Sequence, residues 1–209
     1  MEIIDFILHV DVHLGNIIAD YGGLTYAILF IIVFAETGFV FTPFLPGDSL
    51  LFAGGMFAAL GSLNVAALFF LLWAASFLGD NTNYWVGRFL GQKIVENRRI
   101  PINQNHIDKT QHFFEEHGKK TIILARFMPI VRTFAPFVAG IGKMEYREFV
   151  LFSFLGGLSW VSLFVLGGYF FGNIPLVRDN FSTVIMIIIA VSVLPALVRI
   201  VGSRLRYGR

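Results

Sequence analysis

Two arginines, Arg126 and Arg132, stand in the otherwise apolar run from Thr121 to Gly142, and two acids, Glu36 and Asp48, stand in a comparable stretch before Leu63. An ionised side chain at membrane depth costs roughly 2.5 to 3.5 kcal/mol on insertion scales, so such residues persist where a partner or a task holds them. A guanidinium is planar, permanently charged and offers two parallel N–H bonds that match a phosphate, which makes a phosphate group the ligand these arginines suit best. Acids facing the same cavity could carry protons. Burial and a nearby arginine act on a carboxyl in opposite senses, so an empty site and a phosphate-filled site would bind protons differently. That difference is a physical route to coupling transport to a proton gradient. Other readings stay open at this point: the arginines could snorkel to the headgroups or pair with Glu36 and Asp48 to hold a bundle, and Asp48 could simply cap a helix near Ser49.

Other chemistry is poorly represented. There is no cysteine, hence no disulfide or thiolate site. His9 and His13 share a helix face without a third ligand, and His106, His112 and His117 fall in a charged stretch from Asn105 to Lys120. Neither a Ser/His/Asp arrangement nor a Gly-rich nucleotide loop is convincing, so no cofactor, metal or enzymatic activity is expected. A phosphatase would need a phosphoryl acceptor such as a histidine near the arginine segment, and none lies there. Basic pairs such as Arg98-Arg99 fit orientation and anionic lipid better than nucleic acid.

The elements that must position these residues are membrane helices. Hydrophobic residues make up 56% of the 209 positions, 24 of them Phe, and only 14% are charged, more apolar surface than a soluble core of this size could hide. The first 20 residues carry acids but no Lys or Arg, so a cleavable signal peptide is not expected, and their three-four polar spacing reads as an interfacial amphipathic helix over 1–20. Crossings are expected at Leu24 to Phe41, Leu63 to Gly79 or slightly beyond, Phe149 to Phe171 and Phe181 to Val198. Asp80 to Trp85 then forms a polar, aromatic end to the second crossing. In it Tyr84 and Trp85 make an interfacial belt, Asp80 pairs with Arg88 or with a hairpin, and Gly87 and Gly91 serve helix packing.

Lys and Arg concentrate in a basic segment, 88–120, and in the tail, 199–209, which places both in the cytoplasm together with the amino end. The parity of crossings then requires 121–142 to enter and return on the cytoplasmic side and 42–61 to do so from the outside. Pro43, Pro46, Pro129 and Pro136 would supply the breaks, with Gly54-Gly55 and the stretch from Gly61 to Asn64 as further candidates. A weak internal echo, Pro43 to Gly47 against Pro136 to Gly140 and Gly87/Gly91 against Gly168/Gly172, fits an inverted repeat with a site where two hairpins meet. The expectation is one all-α membrane domain over 1–209, with four crossings, two opposed re-entrant hairpins and the amphipathic helix.

The segment from Arg126 through Pro129, Arg132 and Pro136 to Gly140, with Glu36, Pro46-Gly47-Asp48 and the pattern Gly79-Asp80, Tyr84, Gly87-Arg88, resembles the DedA family, also called the SNARE-associated or VTT family. The resemblance spans roughly Leu24 to Phe171. It implies lipid movement across the bacterial inner membrane. Members similar to this chain recycle undecaprenyl phosphate, the polyprenyl carrier of cell-wall synthesis, with links to the proton motive force. Others handle phosphatidylethanolamine or act as scramblases. The family's essential acids fall on Glu36 and Asp48 and its essential arginines on Arg126 and Arg132. The implied partners are a polyprenyl phosphate or phospholipid, the bilayer and protons. A homo-oligomer is compatible with the sequence. The competing readings are a phospholipid (phosphatidylethanolamine) scramblase or flippase, a proton or cation antiporter that uses the arginines as counter-charges, and a non-transporting envelope assembly factor.

Overall fold

A computed structural model describes residues 10–40, 47–96 and 104–172, together with positions 174, 175, 177, 180, 183, 184, 186 and 187. Among them the chain is helical and contains no strand. The elements are α1 (Val10–Tyr21), a 3-10 turn (Gly22–Leu24), α2 (Thr25–Gly38), α3 (Gly47–Ala59), α4 (Val65–Glu96) and α5 (Gln104–His117). A second 3-10 turn (Gly118–Lys120) leads to α6 (Thr121–Ala125), α7 (Pro129–Ile141), α8 (Tyr146–Val161), a π-helical stretch (Ser162–Leu166) and α9 (Gly167–Phe171). Three stretches, Val12–Gly38, Val65–Gly91 and Tyr146–Phe171, are long and apolar enough to cross a membrane. Of the expected fourth crossing only positions 183, 184, 186 and 187 are described, and Pro43, Pro46 and the basic tail lie outside the described residues.

Several boundaries differ from the sequence expectation. The second crossing extends well beyond Gly79 and does not end in the polar stretch Asp80 to Trp85, because α4 runs on to Glu96 and its apolar span reaches Gly91. Its polar residues need no water there: Asn81 donates to the Phe77 carbonyl at 2.6 Å and Thr82 to that of Leu78 at 2.9 Å, inside their own helix. Arg88, placed at the start of the cytoplasmic segment, therefore sits within the same helix. Gly54-Gly55 does not break α3; the break comes at Leu60 to Asn64, where Gly61 has φ +82°. Pro136 does not break its segment either, and lies inside α7. It removes the one bond to the Arg132 carbonyl while the packing of its neighbours keeps the helix together.

The first hydrophobic stretch is divided as its polarity suggests. α1 turns Asn16 and Asp20 outward, whereas Leu14 is buried and Ile18 packs on the same core, and a joint at Gly22 (φ +51°) separates it from α2. The same joint recurs between α5 and α6. Tyr21 (φ −112°, ψ −10°) precedes Gly22 as His117 (φ −115°, ψ −5°) precedes Gly118 (φ +57°), and both joints run three residues into a buried threonine, Thr25 or Thr121. Only a residue without a Cβ takes that left-handed angle without strain.

A second correspondence lies in the helix seams. A Cβ on Gly140 would strike the Tyr84 carbonyl and one on Gly87 the Phe137 carbonyl, joining α7 to α4. A Cβ on Gly55 would strike the Val165 carbonyl and one on Gly168 the Phe52 carbonyl, joining α3 to the end of the span Tyr146–Phe171. Both seams use the same partners in the same order, so α3 answers to α7 and α4 answers to α8 with its π-helical and α9 continuation. The Gly87/Gly91 and Gly168/Gly172 echo is thus structural, while the counterpart of Gly140 is Gly55 and not Gly47. Along these seams the two copies differ in winding: Ser162–Leu166 is π-helical and the matching turn of α4 is α-helical.

These seams predict unequal tolerance. Gly140→Leu and Gly55→Leu should each lower the melting temperature of the detergent-solubilised protein or abolish its monodisperse peak, since overpacking costs about 1 to 3 kcal/mol or more. Gly23→Ala, with nothing within 4 Å of the added carbon, should melt like the parent. Equal melting of all three would refute the seams.

Candidate functional site: a buried arginine–carboxyl cluster

The break between α6 and α7 is local chemistry. The residue before a proline is pushed out of the helical region, and Met128 accordingly takes φ −130°, ψ 102°, after which Pro129 opens α7 at its first turn. Arg126 at the end of α6 and Arg132 near the start of α7 would point apart on one straight helix; across this break both reach the same tryptophan. The Arg132 guanidinium carbon lies 4.8 Å from the centre of the Trp160 ring and that of Arg126 lies 5.8 Å from it.

Arg132 holds two acids from other segments. Its Nη1 donates to Asp48 Oδ1 at 2.6 Å and its Nη2 to Glu36 Oε1 at 2.5 Å. Trp160 Nε1 donates to the same Asp48 oxygen at 2.8 Å. Gly47, the first residue of α3, brings its bare backbone against the Glu36 carboxylate, where any side chain would collide. Arg126 forms a separate pair: Nη2 with Asp80 and Nη1 with the Ser76 hydroxyl, while Ser153 Oγ donates to Asp80 Oδ2 at 2.7 Å. The alternative in which the arginines pair with Glu36 and Asp48 therefore holds for Arg132 alone, and of the two partners open to Asp80 the structure shows the 121–142 segment, through Arg126, and not Arg88.

Burial decides between holding and snorkelling. Arg126 is 2% exposed, Arg132 6%, Glu36 1%, Asp48 9% and Asp80 2%, so the side chains turn inward and do not reach for headgroups. Ionised groups out of water require both partner charge and hydrogen bonds, and this cluster supplies both. Asn83 ties its edges together, donating from Nδ2 to the Thr37 carbonyl at 3.1 Å and the Thr133 carbonyl at 2.8 Å, which links α2, α4 and α7. Arg132 Nε, Ser49 Oγ and Asn83 Oδ1 are buried without a hydrogen-bond partner among the described residues, leaving polar capacity beside the acids.

Tyr84 is not part of an interfacial belt. It is fully buried, donates to the Met144 carbonyl at 2.5 Å and stacks on Phe149 with centroids 4.4 Å apart. The residues not singled out from sequence are Ser76, Asn83, Ser153 and Trp160. Ser76, Asp80 and Asn83 follow a four-three spacing that marks one face of α4, a stripe visible in the sequence once α4 is read as continuous. Among the described residues no group of three or more acids, histidines or cysteines could hold a metal ion.

The VTT domain matches residues 45–170 of this chain, a span that includes Asp48, Asp80, both arginines and Trp160. Protein DedA of Escherichia coli K12 is 54% identical over 205 residues, covering 97% of this chain and 94% of that protein. The chain belongs to the DedA family. The uncharacterized membrane protein Rv0364 of Mycobacterium tuberculosis is 43% identical over 173 residues, 81% of this chain and 76% of its own length. Inner membrane protein YqjA of E. coli K12 is 34% identical over 154 residues, 73% and 70% respectively. No solved structure matches the chain. This DedA family member is thus a helical membrane protein with one buried ionic cluster of Glu36, Asp48, Asp80, Arg126 and Arg132.

The cluster predicts strongly non-additive energetics. Arg132→Met should cost about 3 to 5 kcal/mol by stranding two buried carboxyls. Adding Glu36→Gln and Asp48→Asn to that variant should recover much of the loss, read as melting temperature. A triple variant less stable than the single one would contradict the pairing.

Proposed function

We propose that this DedA family protein moves undecaprenyl phosphate across the bacterial inner membrane, driven by the proton gradient, in support of carrier-lipid recycling for cell-wall synthesis. The observation that carries this reading is the pair of buried guanidiniums, Arg126 and Arg132, spread over one tryptophan and held by exchangeable carboxyls. Both ends of the chain lie in the cytoplasm, and 42–61 and 121–142 enter the membrane from opposite faces, so the headgroup reaches the arginines between them while the isoprenyl tail stays in lipid. The relative YqjA of E. coli, an inner membrane protein by name, supports the location.

Proton coupling follows from charge. Three carboxyls, on Glu36, Asp48 and Asp80, face two guanidiniums. An arriving phosphate adds negative charge and takes over donors that the carboxylates now use. It is accommodated at least cost when the released carboxyls take up protons, and its departure returns them. A second reading, an antiporter in which the arginines are only counter-charges, draws support from the occupation of both guanidiniums by carboxylates.

Purified protein in vesicles containing undecaprenyl phosphate separates the two. Movement to the opposite leaflet should fall roughly ten- to hundredfold in Arg126→Lys and Arg132→Lys, which keep the charge but lose the fork, the equivalent of one charge-assisted bond of about 1.5 to 3 kcal/mol. Unchanged lipid movement in both, with cation-dependent proton flux intact, favours the antiporter. Glu36→Gln and Asp48→Asn should each weaken acceleration by a pH gradient, and a parent-like response in both variants would remove these acids from the coupling.

A further inference from the structure

A second cationic site lies outside the buried cluster, at Arg88. It is exposed, yet its guanidinium is already ordered: Nη1 donates to the Tyr84 hydroxyl at 2.7 Å and to the Met144 carbonyl at 3.3 Å. The guanidinium carbon lies 5.9 Å from the ring centres of both Tyr84 and Trp85. The anchoring uses one corner of the fork. The Nε–Nη2 edge has no protein hydrogen bond among the described residues, and that edge is the one that binds two oxygens of a phosphate side-on.

The surroundings fit a lipid more closely than a free ion. Trp85 stacks on Phe89 with centroids 5.2 Å apart and meets Tyr146 at 5.0 Å. All three are exposed, Phe89 at 71%; Trp85 and Phe89 lie in the last turns of the apolar span Val65–Gly91, and Tyr146 opens the span Tyr146–Phe171. Trp and Tyr at the end of a span sit at headgroup level, and Phe89 beside them offers surface to acyl chains. An immobilised cation above an aromatic, lipid-facing surface combines the two halves of a phospholipid: charge for the phosphate and apolar rings for the glycerol and upper chains. Arg88 also lies eight residues beyond Asp80 on α4, or about 12 Å along the axis.

We infer that Arg88, ordered by Tyr84 and flanked by Trp85, Phe89 and Tyr146, is a headgroup site that holds the phosphate of a membrane lipid at the leaflet surface. The inference is independent of the translocation reading, because it concerns an exposed residue and a binding step that requires no movement across the bilayer.

Its test uses the full chain in detergent micelles, titrated with phosphatidic acid carrying brominated chains, with Trp85 quenching taken as the difference between the protein and its Trp85→Phe variant. Quenching should saturate in the parent, shift to about tenfold higher lipid in Arg88→Gln, and shift by a smaller factor in Tyr84→Phe, which keeps the ring but loses the anchoring hydroxyl. Brominated diacylglycerol, which lacks the phosphate, should show no saturable quenching, and millimolar inorganic phosphate should not displace the lipid. Parent-like titration of Arg88→Gln, or saturable quenching by diacylglycerol, overturns the inference. Displacement by inorganic phosphate assigns the site to free anions and also overturns it. If Arg88→Gln fails to fold, Arg88→Lys takes its place and must still shift the midpoint, since a point charge lacks the side-on edge.

Discussion

The structure depends on placing two guanidiniums and three carboxyls where water cannot reach them. Each charge alone would be prohibitive at that depth, and each is tolerable only through its partners. The acids all come from the first half of the chain, Glu36 on α2, Asp48 on α3 and Asp80 on α4. The arginines come from the second half, Arg126 capping the end of α6 and Arg132 on α7, with Ser153 and Trp160 behind them on α8. Neither half can satisfy its own charges. The ionic cluster is therefore the join between the halves as well as the candidate site, and a ligand that competes for the arginines also loosens that join.

The repeat gives this join its setting. Glycine seams fix α7 against α4 and α3 against the end of the span Tyr146–Phe171, and two Gly-Thr joints fix the entrances to α2 and α6. The same scaffold thus appears twice, with acids grafted on one copy and arginines on the other. The copies are not identical in winding: the π-helical turn at Ser162–Leu166 widens the helix next to Trp160, where the α4 copy stays regular. Such turns often occur at functional sites because one extra residue re-aims the side chains that follow.

The sequence made the charged residues legible because an arginine or acid in an apolar run is costly in any fold. Membrane character, the spans and the family were legible for related reasons, being properties of composition and of short motifs. The partners were not. Asp80 looked like the end of a crossing because an Asp-Asn-Thr-Asn string reads as water-exposed; only the ion pair with Arg126 and the back-bonds of Asn81 and Thr82 make a continuous α4 affordable to the fold. Trp160 and Tyr84 were hidden for the opposite reason: aromatics in a membrane span are common, and only tertiary contact distinguishes a ring beneath two guanidiniums from one in lipid. Proline likewise has two outcomes here, opening α7 at Pro129 and riding inside it at Pro136, and the difference lies in packing that local sequence does not encode.

The most direct measurement is the number of protons taken up when purified protein binds undecaprenyl phosphate at pH 8, where a phosphate monoester already carries both charges. Carboxyls displaced from the arginines must recover protons, so binding should be accompanied by net proton uptake that disappears in the Glu36→Gln, Asp48→Asn double variant. Tight binding with no proton uptake in the parent would contradict the exchange of carboxylate for phosphate on which the account rests.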